Sequence, residues 1–174
     1  MRALRGWLGL DAAGGAEESD TDTVRRIAGE LERLEPDRAR YIACFAYVLA
    51  RVANADLDVH TNEIAEMERL VAEVGGLPEA QAALAVQIAK AQAVTFGGTE
   101  DYLVTRQFRT CSDREDRISL IRCLFAVAAA DGTISQLENQ RISQIGSELG
   151  LTADEVTRCR IAFREHLSVL KDLP

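Results

Sequence analysis

The chain has 174 residues, with 20 basic and 28 acidic side chains and a formal net charge of −8. This length favours a single domain with its own hydrophobic core. The negative charge argues against nucleic acid as a partner, because phosphate binding is driven by basic side chains. Aromatic residues make up only 5% of the chain, which argues against a β-sandwich. No apolar run reaches the ~18 residues of a transmembrane helix, so none is expected.

The first 22 residues are predicted to be a flexible segment that ends in an acidic linker. Gly9 interrupts the apolar stretch, which is therefore too short for the core of a signal peptide, and a cytoplasmic location is expected. Arg2, Arg5 and Trp7 could lie as a short helix on the surface of an anionic membrane. The alternative is that this segment docks on the body of the protein or stays disordered. The acidic linker favours this alternative, because anionic lipid would repel it.

Residues 23–174 are predicted to form one all-α domain. Apolar side chains recur every three or four residues, as they do on one face of a helix, and no strand-like alternation competes with this pattern. Pro36 and the Gly75-Gly76 pair separate neighbouring helices. The predicted helices run over about 23–34, 37–55, 61–74, 78–94, 100–110, 112–128, 135–149 and 152–170.

Three helix starts carry the capping-box pattern. In this pattern a hydroxyl side chain and a Glu three residues later satisfy the backbone N–H groups of the first turn. The pairs are Ser112 with Glu115, Ser135 with Glu138, and Thr152 with Glu155. Gly150 follows the seventh helix and is expected to end it.

The four cysteines are Cys44, Cys111, Cys123 and Cys159, and they include no C-x-x-C pair. Zinc sites normally place two ligands two to four residues apart, so a zinc cluster is not expected. All but Cys111 fall within apolar helical patterns and are expected to be small buried hydrophobic side chains. Reduced thiols are expected in the cytoplasm.

Two stretches of the chain are related by a shift of 75 positions. Residues 55–63 read Ala-Asp-Leu-Asp-Val-His-Thr-Asn-Glu, and residues 130–138 read Ala-Asp-Gly-Thr-Ile-Ser-Gln-Leu-Glu. The flanking helices also match, so each copy consists of a helix, an Ala-Asp turn and a second helix. Two such hairpins are expected to pack about a pseudo-twofold axis, because each has one apolar face to bury.

The second turn has the better local signals. Gly132 can adopt a positive φ and end the sixth helix. Ile134 precedes the cap residue Ser135, where it can pack against the helix that follows. In the first copy Leu57 replaces the glycine and His60 replaces the serine. His is a poor N-cap, so the first turn is expected to be strained or shifted by one residue.

The pattern Ala-Asp-Gly-x-Ile-x-x-x-Glu at 130–138, followed by Ile142, Ile145 and Leu149-Gly150-Leu151, resembles the tellurite-resistance protein TerB family. That family includes a module similar to the N-terminal region of the membrane co-chaperone DjlA. The resemblance covers roughly residues 23–170. It implies a compact bundle of seven or eight helices, a cytoplasmic location and an association with stress-response or membrane-linked systems. It implies no enzyme activity.

The resemblance also implies an acidic, metal-binding site, carried over to Asp56 and Glu63 in the first copy and to Asp131 and Glu138 in the second. Clustered carboxylates would suit a hard divalent cation such as Ca²⁺ or Mg²⁺, and no other cofactor is expected. The alternative is structural. The capping box accounts for Glu138, acids favour helix N-termini, and aspartates often end helices in turns.

Three functions follow from these observations. The first is a non-enzymatic TerB-like module whose acidic turns bind a divalent cation or a basic protein partner. The second is a protein-interaction or scaffold domain without metal. The third, a metallohydrolase, has the least support, because neither His60 nor His166 has a partner at the spacing of metal or nucleophilic sites.

Overall fold

The computed structural model describes residues 18–52, 61–93 and 101–168. Within these ranges the chain forms eight α-helices and one 3₁₀ helix, which confirms the predicted all-α class. None of these helices is both long enough and apolar enough to cross a membrane. The helices are α1 (Glu18–Glu32), α2 (Pro36–Ala50), α3 (Thr61–Glu73), α4 (Glu79–Ala93), α5 (Asp101–Thr110), α6 (Arg114–Ala128), α7 (Gln136–Glu148), α8 (Ala153–Ile161) and the 3₁₀ helix (Arg164–His166).

Helix α2 is the centre of the core. Every residue from Tyr41 to Leu49 is buried, because apolar and small side chains surround the whole helix and not one face alone. α2 packs against α4 and α5, and α4 packs in turn against α1 and α3. Phe45 of α2 and Phe108 of α5 are fully buried, with ring centroids 6.3 Å apart. Each such side chain contributes about 1.5–3 kcal/mol on burial, so the α2–α5 contact is a main source of stability.

The first helix pair, α2 and α3, contacts the second pair, α6 and α7, in two places. α3 of the first hairpin packs against α6 of the second. The C-terminal end of α2 meets α7, where Arg51 forms an ion pair with Glu148 and Arg141 donates to the Arg51 carbonyl at 2.9 Å. A twofold axis that exchanges the hairpins would turn the α3–α6 pair into the α7–α2 pair. These contacts therefore agree with the expected pseudo-twofold packing.

Two predicted helix boundaries are wrong. α1 begins at Glu18 and not near Thr23, so the last residues of the predicted linker are helical. α8 ends at Ile161, well before the predicted end near Leu170. The chain there turns into the 3₁₀ helix and then pairs with Ile134, which lies far away in sequence.

The predicted capping box at the start of α6 is also wrong. Asp113 is the N-cap, and Asp116 at the third helical position completes the box. The Ser112 hydroxyl donates instead to the Phe108 carbonyl at the end of α5, at 2.6 Å. Two cap patterns overlap at this point in the sequence, and the serine is used to close the preceding helix.

Helices α7 and α8 are joined as the sequence predicts. Gly150 has a φ of 76°, which ends α7, and Thr152 and Glu155 form the predicted capping box of α8. The helices approach closely at Gly146, where an added Cβ would lie 2.5 Å from Cγ2 of Val156. Only glycine allows this approach, which fixes α8 against α7.

Candidate functional site

The second repeat turn, residues 130–138, has the geometry that its sequence predicts. Gly132 has a φ of 91°, and the Asp131 carboxylate accepts a hydrogen bond from the Thr133 backbone nitrogen at 3.0 Å. The Ser135 hydroxyl accepts from the Glu138 backbone nitrogen at 3.2 Å, and the Glu138 carboxylate accepts from the Ser135 backbone nitrogen at 2.8 Å. The turn is therefore held by its own hydrogen bonds.

Backbone hydrogen bonds join residues 166–168 to this turn. The Ile134 backbone nitrogen donates to the His166 carbonyl at 2.6 Å, and the Ser168 backbone nitrogen donates to the Ile134 carbonyl at 3.0 Å. His166 Nδ1 lies 3.3 Å from the Gly132 carbonyl oxygen. Ile134 itself is 1% exposed, so the turn is fixed to the core by its side chain and to the C-terminal segment by its backbone.

A groove of about 380 Å³ lies beside the second repeat turn, between the start of α7 and the end of α8. Ile134, Ile161 and Leu167 contribute apolar side chains to it, and Gln136 and Asn139 contribute carboxamides. Ile161 is 56% exposed, which is unusual for a large apolar side chain. Concave apolar surfaces with a few polar groups are typical of binding sites.

Arginines give the groove a positive wall in a chain with a net charge of −8. Arg160 and Arg164 both line it, and Nη2 of Arg160 donates to Oγ1 of Thr157 at 3.3 Å. The side-chain oxygen of Asn139 is buried and has no hydrogen-bond partner in the part of the chain that the structure describes. A buried acceptor without a partner costs about 1–3 kcal/mol.

Sequence reasoning missed this groove. Its walls come from the second repeat turn, α7, α8, the 3₁₀ helix and the residues after it, which no periodicity in the sequence joins. A usable signal was present, because Arg158, Arg160 and Arg164 form a basic group around Ile161 within an otherwise acidic chain.

The predicted carboxylate site is only half described. Asp56 lies outside the described residues, and of Glu63 only the backbone, in α3, is described. Asp131 is exposed, and Glu138 is half-buried within the capping box. Among the side chains that the structure describes, no group of three or more His, Cys, Asp or Glu residues is arranged to hold a metal ion. The four-carboxylate site therefore stays a prediction.

The remaining predicted contact residues, Arg2, Arg5 and Trp7, also lie outside the described residues, as does His60. Their membrane or partner contact stays a prediction.

A buried ion pair fixes the C-terminal end of α7, the helix that begins at the second repeat turn. Arg51 and Glu148 are 9% and 12% exposed, and their closest nitrogen and oxygen lie 2.9 Å apart. The Thr105 hydroxyl of α5 donates to the same carboxylate at 2.8 Å. Burial acts to raise the pKa of Glu148, but hydrogen bonds from Arg51 and Thr105 outweigh it and lower the pKa. The carboxylate thus joins α2, α5 and α7 in its charged form.

Taken together, the described residues define an all-helical module in which α2 with α3 and α6 with α7 are the helices of the two related repeats. The family model described as tellurite resistance protein TerB matches residues 41–161, which include both turns and extend from α2 to the end of α8. The chain therefore belongs to the TerB family, as the resemblance at 130–138 predicts. No curated protein and no solved structure matched the chain.

Proposed function

We propose that this TerB-family module is non-enzymatic and acts by binding a protein partner in the groove beside its second repeat turn. The observation that carries the proposal is a single groove that combines the exposed Ile161 with Arg160 and Arg164. An acidic segment with apolar anchor residues fits this combination. The ligand proposed for the groove is therefore acidic, whereas the partner expected for the acidic turns is basic.

The chemistry of the groove supports a peptide ligand. Protein interfaces usually have an apolar centre, a polar rim and an enrichment in arginine. Arginine binds carboxylates through two parallel hydrogen bonds, so Arg160 and Arg164 would select acidic residues. The hydrogen bonds between Ile134 and the C-terminal segment hold the walls in place before binding, which lowers the entropy cost of association.

Fluorescence anisotropy tests the proposal with a short fluorescein-labelled peptide of alternating leucine and aspartate. The matched control peptide has lysine in place of each aspartate. We expect the full chain to bind the acidic peptide and Arg164→Glu to weaken that binding at least about tenfold, or 1.4 kcal/mol. Arg160→Glu should act in the same direction.

Arg106→Glu is the control variant, because Arg106 is exposed on α5 and the substitution makes the same change in net charge. It should leave the affinity unchanged apart from a small long-range effect that salt removes. Equal weakening by Arg106→Glu and Arg164→Glu, or tighter binding of the lysine peptide, would contradict the proposal.

A divalent cation at the acidic turns is the second candidate function. It is favoured by Asp131, whose exposed carboxylate is oriented by the hydrogen bond from Thr133. Binding of Ca²⁺ or Mg²⁺ should raise the melting temperature, with a stabilisation of about 2.7 kcal/mol at 100 times Kd. Asp131→Asn should abolish the rise. A melting temperature that millimolar concentrations of either ion leave unchanged would exclude this candidate.

A further inference from the structure

The described part of the chain ends at Ser168, in the wall of the groove. The isolated bridge between Ile134 and Leu167 is parallel, and Ser168 donates a backbone hydrogen bond to Ile134 at 3.0 Å. Parallel chains run in the same direction, so the chain leaves Ser168 on the course that the turn takes from Ile134 to Gln136. Gln136 begins α7 and lines the groove. The 169–173 segment therefore starts at the groove and is directed towards the start of α7.

Two large apolar side chains beside this course are exposed. Ile161 lines the groove and is 56% exposed. Leu137 follows Gln136 in the first turn of α7 and is 60% exposed. Side chains of this kind are more often buried, and covering them with another apolar group is favourable. The groove and its edge thus offer an apolar surface to a chain segment that crosses them.

The sequence of the 169–173 segment has the chemistry that this surface favours. It reads Val-Leu-Lys-Asp-Leu, with three apolar side chains and one carboxylate. In an extended segment alternate side chains lie on the same side, so Leu170 and Asp172 share one side and Lys171 takes the other. One side of the segment therefore combines an apolar anchor with an acid, which is the combination that suits the apolar and arginine side chains of the groove.

The segment is long enough to cross the groove, and its tether is short. Five extended residues span about 16 Å, whereas a cube with the groove's volume of about 380 Å³ has an edge of only about 7 Å. Leu170 is two positions after Ser168, which itself lines the groove. A short tether gives an effective concentration of about millimolar, so the segment of the same molecule outcompetes that of a second copy in dilute solution.

We propose that the 169–173 segment lies across the groove of its own molecule and competes there with the partner peptide. Leu170 covers Ile161, and Asp172 pairs with Arg164. A partner then has to displace the segment before it binds, so the covered state is autoinhibited. The regulatory role rests on the proposed function, whereas the contact of the segment with the groove does not.

Methyl NMR spectra of the full chain test the contact directly. We expect nuclear Overhauser effects between the methyl groups of Leu170 and Ile161, and a shift of the Ile161 resonances in Leu170→Ser. Leu103→Ser is the matched control, because Leu103 is 57% exposed on α5 and loses the same side chain. It should leave the Ile161 resonances unchanged. No Overhauser effect between Leu170 and Ile161, or an effect found only between labelled and unlabelled copies in a mixed sample, would overturn the proposal.

Fluorescence anisotropy with the leucine–aspartate peptide tests the regulation. Leu170→Ser should bind the peptide at least about threefold more tightly than the unsubstituted chain, because the groove is then free in a larger fraction of molecules. Leu103→Ser should leave the affinity unchanged. Equal affinity of all three chains would overturn the competition and leave the proposed function intact. If none of the chains binds the peptide, the proposed function and the regulation both fail, and the Overhauser effects still decide the contact.

Discussion

Replacing Glu148 by alanine is the perturbation with the largest expected effect on stability. The substitution removes the carboxylate that accepts hydrogen bonds from Arg51 at 2.9 Å and from Thr105 at 2.8 Å. It leaves the Arg51 guanidinium, which is only 9% exposed, without its counter-charge. The connection between α2, α5 and α7 is lost in the same step.

The magnitude follows from the burial of the pair. Breaking a buried ion pair by removing one partner costs about 3–5 kcal/mol. Glu148 is the last residue of α7, where the helix dipole disfavours an acid, so the substitution regains about 0.3–1 kcal/mol. The net loss is therefore about 3 kcal/mol. For a chain of this size that corresponds to a fall in melting temperature of roughly 6–12 °C.

The assay is urea denaturation followed by circular dichroism, with Glu66→Ala as the matched control. Glu66 pairs with Arg69 at 2.6 Å, but both side chains are about half exposed, at 47% and 50%. Such a surface pair contributes about 0.2–1 kcal/mol. A loss for Glu148→Ala within that range would show that the pair of Arg51 and Glu148 is no more stabilising than a surface ion pair. The double variant Arg51→Met with Glu148→Leu should be more stable than Glu148→Ala, because no unpaired charge remains.

Two further predictions concern the repeat turn and α8. Ser135→Ala should lower the free energy of unfolding by about 1 kcal/mol, because the helix cap is lost. Gly132→Val should lower it further, because φ is 91° at this position and valine is strained there. Equal denaturant midpoints for the two variants would contradict this. Hydrogen bonds from the Thr152 backbone and hydroxyl lower the pKa of Glu155 to about 2, so this carboxylate stabilises the fold above its ordinary pKa and loses that contribution as the pH falls towards 2. Melting temperatures measured from pH ~5 down to pH ~2 should fall more steeply for the unsubstituted chain than for Glu155→Gln, and parallel curves would contradict the assignment.

The sequence predicts the helices, caps and turns, because these features depend on residues that are neighbours along the chain. The apolar periodicity identifies the helices, and Gly132 with Ser135 and Glu138 specifies the second turn, because a cap and a positive φ act within one helical turn. The error at Ser112 has the same origin. Two local patterns overlap there, and the choice of Asp113 as the cap rests on which backbone groups each side chain meets.

Contacts between distant residues could not be read from the sequence. Arg51 and Glu148 are 97 positions apart, and the pairing of Ile134 with Leu167 joins a turn to a segment predicted to be helical. The groove likewise arises only when α7, α8 and the C-terminal residues pack together. Tertiary geometry, and not local propensity, decides which of several exposed or apolar residues meet.

¹H–¹⁵N NMR spectra of the full chain, recorded as the leucine–aspartate peptide is added, locate the surface that binds the peptide. The proposal predicts chemical-shift changes concentrated at Ile134–Asn139 and at Arg160–Ser168, the two segments that line the groove. Arg164→Glu should remove these changes while Arg106→Glu preserves them. Shift changes centred elsewhere on the helical surface, or none at saturating peptide, would contradict partner binding by this groove.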